Sequence, residues 1–152
     1  MQVMQTVSAL LVNRNGSVLL QQRDHTPGIR FPGCWSTFGG RVEPGETPEQ
    51  AMRRELLEEV TLDAVPEMRL WKVVQQALTV DGAPVLLEIF VYVGRLDVDA
   101  AALEIHEGQA ARYLGLEDLD GLPFAFGFEL LFREFFAMRL RVNGLPVTED
   151  MP

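Results

Sequence analysis

The stretch from Gly39 to Leu62 reads GGRVEPGETPEQAMRRELLEEVTL. It divides into a glycine pair, a Pro-Gly turn and a helix with glutamates near its end. Thr47 is a good N-cap, Pro48 suits the first helical position, and Gln50 completes a capping box. At about 3.6 residues per turn, Glu55, Glu58 and Glu59 stand at i, i+3 and i+4 and share one face. Ala51 lies on that face too, leaving room beside the carboxylates. Met52, Leu56 and Val60 follow at i+4 steps on a second face, expected to pack on a core. Three like charges on one patch repel unless something positive sits between them. A hard divalent cation such as Mg²⁺ takes oxygen ligands and would resolve the conflict. A glutamate cluster alone is the ordinary solvated face of a helix, so the residues ahead of it decide. Gly39-Gly40 lets the backbone approach a ligand and aim carbonyls or amides at it. Pro44-Gly45 marks a turn that brings this loop back beside the helix.

These residues resemble the Nudix box, G-x5-E-x7-R-E-U-x-E-E-x-G-U, where U is a large apolar residue. Gly40, Glu46, Arg54, Glu55, Leu56, Glu58, Glu59 and Leu62 fall in register, and Thr61 stands where the pattern has glycine. The resemblance implies Mg²⁺-dependent hydrolysis, with Mn²⁺ able to substitute. The substrate class it implies is a nucleoside diphosphate linked to another moiety, a (d)NTP or similar small nucleotide. A diphosphate repels hydroxide, and metal ions neutralise it, polarise a phosphorus and lower the pKa of bound water. By the resemblance, Glu55, Glu58 and Glu59 hold metal with a carbonyl from Gly39 or Gly40. Arg54 orients the glutamates or pairs with Glu46. One of the glutamates, or Glu107, takes the proton from the attacking water. The rival reading is a nucleotide-binding sensor or regulator on the same scaffold, without turnover. Such scaffolds usually lose box carboxylates, and all of them are present here.

The chain has 152 residues, read as a single domain over 1–152 with a real core. Its net charge is −9, and no basic run is visible, which argues against a nucleic-acid partner. The partner expected is a small nucleotide, with the chain a monomer or homodimer. Cys34 is the single cysteine, so no internal disulfide can form. Isopentenyl-diphosphate isomerases are similar to Nudix proteins, but need a cysteine several residues after the tryptophan. Cys34 precedes Trp35, which disfavours that activity. The opening MQVMQTVSALLV lacks a basic n-region, and its apolar run is too short for a membrane span, so no membrane partner and a cytoplasmic location are expected.

In chain order, Thr6 to Val12 reads as a strand. Asn15-Gly16 signals a hairpin, with Ser17 to Arg23 returning as its partner. Arg23 ends that strand, where its guanidinium fork suits a phosphate contact; the resemblance strengthens this substrate-binding role against a merely solvated strand end. His25 to Gly33 holds two Pro-Gly steps and must be loop, with His25 merely exposed. Cys34 to Phe38 is a short strand whose Trp35 and Phe38 belong to the core. Met68 to Val80 and Pro84 to Leu96 form a second hairpin around Asp81-Gly82. Asp97 to Gly108 is an acidic loop, and Gln109 to Leu114 a last strand. By the resemblance, Glu107 on that loop adds a metal contact or a catalytic base; His106 is read as ordinary surface. Phe124 to Leu140 reads as a closing helix holding six of the nine phenylalanines. Its apolar content exceeds one stripe, so it is expected either deep between sheet and box helix or partly against a second subunit. The tail from Val142 is expected to fray.

The fold expected is an α/β/α sandwich, a mixed β-sheet between the box helix and a C-terminal helix. Its strand order follows from the resemblance. For Thr61, a β-branched residue, the expectation is negative φ and a helix exit without the usual left-handed glycine. Thr61→Gly is then expected to change activity little and to give no stabilisation.

Overall fold

The computed structural model describes residues 1–141. Strand β1 (Gln2–Val12) lies at the centre and is covered on both sides, which explains why Ala9–Val12 is apolar on successive residues rather than alternating. It pairs antiparallel with β2 (Val18–Gln22) through the Asn15-Gly16 hairpin. Strand β3 (Trp35–Ser36) extends the sheet beyond β2, and β4 (Phe38–Arg41) folds back onto β1. Helix α1 (Pro48–Glu59) follows. The hairpin of β5 (Arg69–Val80) and β6 (Ala83–Arg95) turns at Asp81 and Gly82, with φ of 50° and 79°. Two consecutive left-handed residues are what a two-residue hairpin turn requires. β6 lies parallel to β1 from Gln2↔Val85 to Val12↔Arg95. Strand β7 (Ala110–Leu114) pairs with β2, and helix α2 (Phe128–Arg141) closes the fold. The sheet order is β3-β2-β1-β6-β5, with β4 and β7 attached to β1 and β2.

Alternate residues of β1 serve two cores. Val7, Ala9 and Leu11 pack with Phe38 and with Ala51, Met52 and Leu56 of α1. Leu10 and Val12 pack with Phe128, Phe132, Phe135 and Phe136 of α2. The expected sandwich is therefore present, with Trp35 and Phe38 both in the core. Each fully buried phenylalanine contributes about 1.5–3 kcal/mol.

Three details differ from the sequence reading. Helix α2 begins at Phe128, not Phe124: Phe126 and Gly127 both have positive φ (54° and 70°), which no right-handed helix accommodates. Phe124 instead bridges Trp35, and Ala125 N–H donates to the Trp35 carbonyl at 2.9 Å. Second, the apolar surplus of α2 is not buried between α1 and the sheet: α2 lies on the face opposite α1, as the expected sandwich places it, and Leu130 is 75% exposed. Third, the acidic loop contains a 3₁₀ turn, Ala100–Ala102, capped by the Asp99 carboxylate. The expectation for the tail from Val142 lies outside the described residues. Among those residues no helix is long and apolar enough to cross a membrane.

Candidate active site

The start of α1 is fixed by its own side chains. Thr47 Oγ1 accepts from Gln50 N–H at 3.1 Å, and Gln50 Oε1 accepts from Thr47 N–H at 2.9 Å. Because α1 is anchored there and packed through Met52 and Leu56, its glutamates are delivered at fixed positions beside β4. The loop before the helix must be glycine at two points. A Cβ on Gly39 would run into the Val7 carbonyl oxygen, and one on Gly40 would occupy the space of the Glu55 carboxylate.

The three box glutamates do not form one solvated patch. Glu58 has a 58% exposed side chain, Glu55 only 12%. Glu59 is 2% exposed, and Ala51 beside them is fully buried. Glu59 Oε1 accepts from Gly39 N–H at 2.9 Å, and its Oε2 accepts from Gln21 Nε2 at 3.3 Å. The positive group between the acids is Arg54. Its Nε and Nη2 grip Glu46 at 2.7 and 2.9 Å, Nη2 donates to the Arg41 carbonyl at 2.9 Å, and Nη1 reaches Glu55 at 2.9 Å and Glu58 at 3.2 Å. Arg54 thus both pairs with Glu46 and orients two box glutamates.

Electrostatics follows this division. The Arg54 fork holds the Glu46 carboxyl down to about 2 and raises Arg54 itself. Burial pushes Glu55 upward against the opposing pull of Arg54. Glu59 is pushed up to about 9, first by burial, then by the charge of Glu107 and a hydrogen bond with it, then by Glu55. An acid that keeps its proton to high pH because it is buried and other carboxyls lie beside it is a place where a cation would substitute for that proton.

Glu59, Glu107, Gly39 and Gly40 line a cleft of about 250 Å³. Arg23, Arg30 and Arg41 also line it, and Leu78, Val80, Leu87, Ile89, Phe126 and Phe128 contribute apolar surface. Arg23 Nε donates to the Arg30 carbonyl at 2.8 Å, and its guanidinium lies 5.6 Å from the centroid of the Phe126 ring. Arg30 Nη2 donates to the Thr79 carbonyl at 3.0 Å, tying the loop after β2 to the β5–β6 hairpin. Of the residues singled out by sequence, Arg23, Gly39, Gly40, Glu59 and Glu107 line this cleft. Arg54, Glu55 and Glu58 stand behind it along α1. Among the described residues no group of three or more acidic, histidine or cysteine side chains is already drawn together as a metal-ligand set, and Arg54 holds Glu58 and one oxygen of Glu55. The donors are nonetheless hard oxygens, in excess of positive charge and partly dehydrated, which fits a divalent cation.

Sequence reasoning missed Gln21, Arg30 and Phe126. Gln21 is buried on β2 and also donates to the Thr37 carbonyl at 3.1 Å. Its only signal was a glutamine continuing the run Val18-Leu19-Leu20 onto a buried position. Thr61 has the negative φ expected of it: among described residues other than glycine, only Phe31, Asp81 and Phe126 are positive. Val60 leaves the helix extended, with φ −137° and ψ 134°, and bridges Ile105. The Thr61 hydroxyl lies 2.8 Å from His106 Nε2, a contact that sequence did not suggest.

Comparison with known proteins agrees with this geometry. Over 55 residues the chain is 44% identical to the nucleoside triphosphatase NudI of Enterobacter sp. (strain 638), covering 36% of this chain and 38% of that protein's length. The fold matches the MutT protein of Methanosarcina mazei Go1 with a TM-score of 0.69 at 23% identity, covering 91% of this chain and 96% of that one. It also matches the NUDIX domain of Shewanella oneidensis NrtR, solved in complex with ADP ribose, with a TM-score of 0.67 at 25% identity over 92% and 89% of the two chains. Residues 3–133 match the family model of the NUDIX domain, and with the box in register around Arg54 and Glu59, the chain belongs to the Nudix hydrolase family.

Proposed function

We propose that this chain hydrolyses a nucleoside diphosphate linked to another moiety, a (d)NTP or similar small nucleotide, with Mg²⁺ as cofactor. The observation that carries this reading is one cleft lined both by the Glu59–Glu107 carboxyl pair and by three arginines, together with an apolar wall. Such a cleft suits a ligand with a polyphosphate at one end and a flat, weakly polar group at the other. Two relatives' names point the same way, one a nucleoside triphosphatase, the other bound to ADP ribose, itself a nucleoside diphosphate joined to a sugar.

Glu55, Glu58 and Glu59, with a carbonyl of Gly39 or Gly40, are the groups that would hold the ion. Once bound there, Mg²⁺ would neutralise the diphosphate and lower the pKa of water. The chain's own residues do the rest. Arg23 binds phosphate oxygens through its guanidinium fork. Arg54, fixed by Glu46, offsets the repulsion between Glu55 and Glu58 and holds both carboxylates in place. Glu107 approaches Glu59 from a separate loop and lines the cleft, so it accepts the proton as water oxygen bonds to phosphorus and the anhydride P–O bond breaks. Phe126 and Phe128 give the cleft apolar surface suited to a flat group.

The test is a panel of nucleotides with Mg²⁺, assayed for released phosphate or pyrophosphate. At least one should turn over, and Glu58→Gln and Glu59→Gln should each lower that rate about 100-fold or more. Tight binding of a nucleotide with no turnover across the panel would instead establish the sensor reading.

A further inference from the structure

We infer that Thr61 and His106 form a clasp that positions Glu107, making Thr61 a positioning residue. This rests on the assignment of Glu107 as proton acceptor. The residue that departs from the box pattern thus takes up a task of its own.

Where α1 ends, the chain does not turn through a left-handed residue. It runs extended through Val60 and pairs briefly with the loop that carries Glu107. Thr61 N–H donates to the Glu104 carbonyl at 2.9 Å, and His106 N–H donates to the Glu59 carbonyl at 2.8 Å, on either side of the Val60–Ile105 bridge. The next backbone anchor is Gln109 N–H on the Gln22 carbonyl at 2.9 Å, at the end of β2. Glu107 and Gly108 therefore span two anchors, and Gly108 has φ of +79°, the freest backbone available. A single main-chain hydrogen bond at His106 leaves the peptide leading into Glu107 able to pivot. The Thr61 hydroxyl, 2.8 Å from His106 Nε2, attaches the same residue by its side chain. Two attachments on one residue stop the pivot, and Glu107 is the first residue beyond it. The helix that carries Glu59 and the loop that carries Glu107 are in this way held in one register.

Thr61→Val is nearly isosteric and removes only the hydroxyl, while Thr61→Ser keeps it; Thr61→Gly loses the same contact, so the sequence expectation that it changes activity little is replaced by an expected fall in kcat. Losing one such hydrogen bond should lower kcat about 5–10-fold in Thr61→Val, with KM unchanged, while Thr61→Ser keeps the parent rate. In a Glu107→Gln background, Thr61→Val should cause no further loss, because the group it positions is gone. Amide hydrogen exchange in the nucleotide-free protein should quicken at His106 and Glu107 in Thr61→Val, not in Thr61→Ser, with α1 unchanged. An unchanged kcat in Thr61→Val, an equal fold-loss with and without Glu107, or unaltered exchange would each overturn the inference, as would a Glu107→Gln variant with the parent's rate. If no nucleotide on the panel is turned over, the proposed activity fails by itself, and the exchange measurement alone decides whether the clasp orders the loop.

Discussion

Replacing Glu59 by glutamine in metal-free protein should flatten the dependence of stability on pH. Folded Glu59 holds its proton to about 9, against 4.5 for an ordinary glutamate. Below pH 4.5 the folded and unfolded chains both carry the proton, and the group adds no slope. Between pH 4.5 and 9 only the folded chain keeps it, so unfolding releases a proton and stability falls as pH rises. At 1.36 kcal/mol per pH unit, the three units from 4.5 to 7.5 set a ceiling of about 4 kcal/mol. The neighbouring Glu55 carboxyl is also raised by burial and shares the site with Glu59, so an effect on the order of 2 kcal/mol is expected from the single substitution. Glutamine resembles the protonated acid: its carbonyl can accept from Gly39 N–H, and its amide can donate to Glu107. It loses one acceptor, because Gly39 N–H and Gln21 Nε2 now donate to separate carboxylate oxygens; that costs about 1 kcal/mol at every pH. Glu59→Gln should therefore be no more stable than the parent at pH 5. By pH 8.5 it should melt higher, by about 2–4 °C for each kcal/mol of net gain. Thermal unfolding followed by circular dichroism in excess chelator, from pH 5 to 9, measures this. Parallel curves for parent and variant across that range would refute the argument that a buried, acid-faced Glu59 retains its proton.

Two further outcomes follow from the arginines. Arg54→Lys cannot span Glu46, Glu55, Glu58 and the Arg41 carbonyl at once, so kcat should fall at least about 10-fold. Glu46 should also return toward 4.5 from about 2, an upward move visible by NMR titration. Because a depressed carboxyl stabilises the fold above its unfolded pKa and loses that contribution as pH falls toward 2, the variant should lose part of the parent's acid sensitivity in that window. Arg23→Ala should raise KM about 10-fold or more with little change in kcat, and should free the loop that Arg23 ties to Arg30. An unchanged KM would leave Arg23 with only the loop-bracing role.

What sequence made legible was local. The Thr47–Gln50 capping box, the Asn15-Gly16 and Asp81-Gly82 turns and the Met52-Leu56-Val60 face are each decided within a few residues, by hydrogen bonds and spacing that neighbours alone provide. The start of α2 was missed because the apolar run continues smoothly through Phe124 and Phe126. The break there is a backbone conformation held by docking on Trp35, not by composition. At the site, the reach of Arg54 to Glu55 and Glu58 lies within one helix and could be anticipated. Gln21 on Glu59, Arg30 on Thr79 and Thr61 beside His106 join residues 38, 49 and 45 apart, and no local pattern encodes such pairs.

The glutamates show why the distinction matters for function. Read along the helix, Glu55, Glu58 and Glu59 pose one problem, like charges on one face, with one answer, a cation. In the folded chain the problem is divided. Arg54 neutralises the exposed Glu58 and the largely buried Glu55, and its fork on Glu46 keeps it there. The half that faces the cleft has no such partner: Glu59 is buried, Glu107 is brought against it from another loop, and the remaining remedy is a shared proton. That remedy weakens as pH rises, because holding the proton costs more the further pH lies above 4.5. A divalent cation answers the same charge without that dependence, so its affinity should increase over the pH range in which the proton is hardest to keep. Arg54 therefore tunes the site by what it leaves uncompensated: a guanidinium long enough to reach Glu59 as well would stabilise the ion-free chain and weaken its hold on the metal.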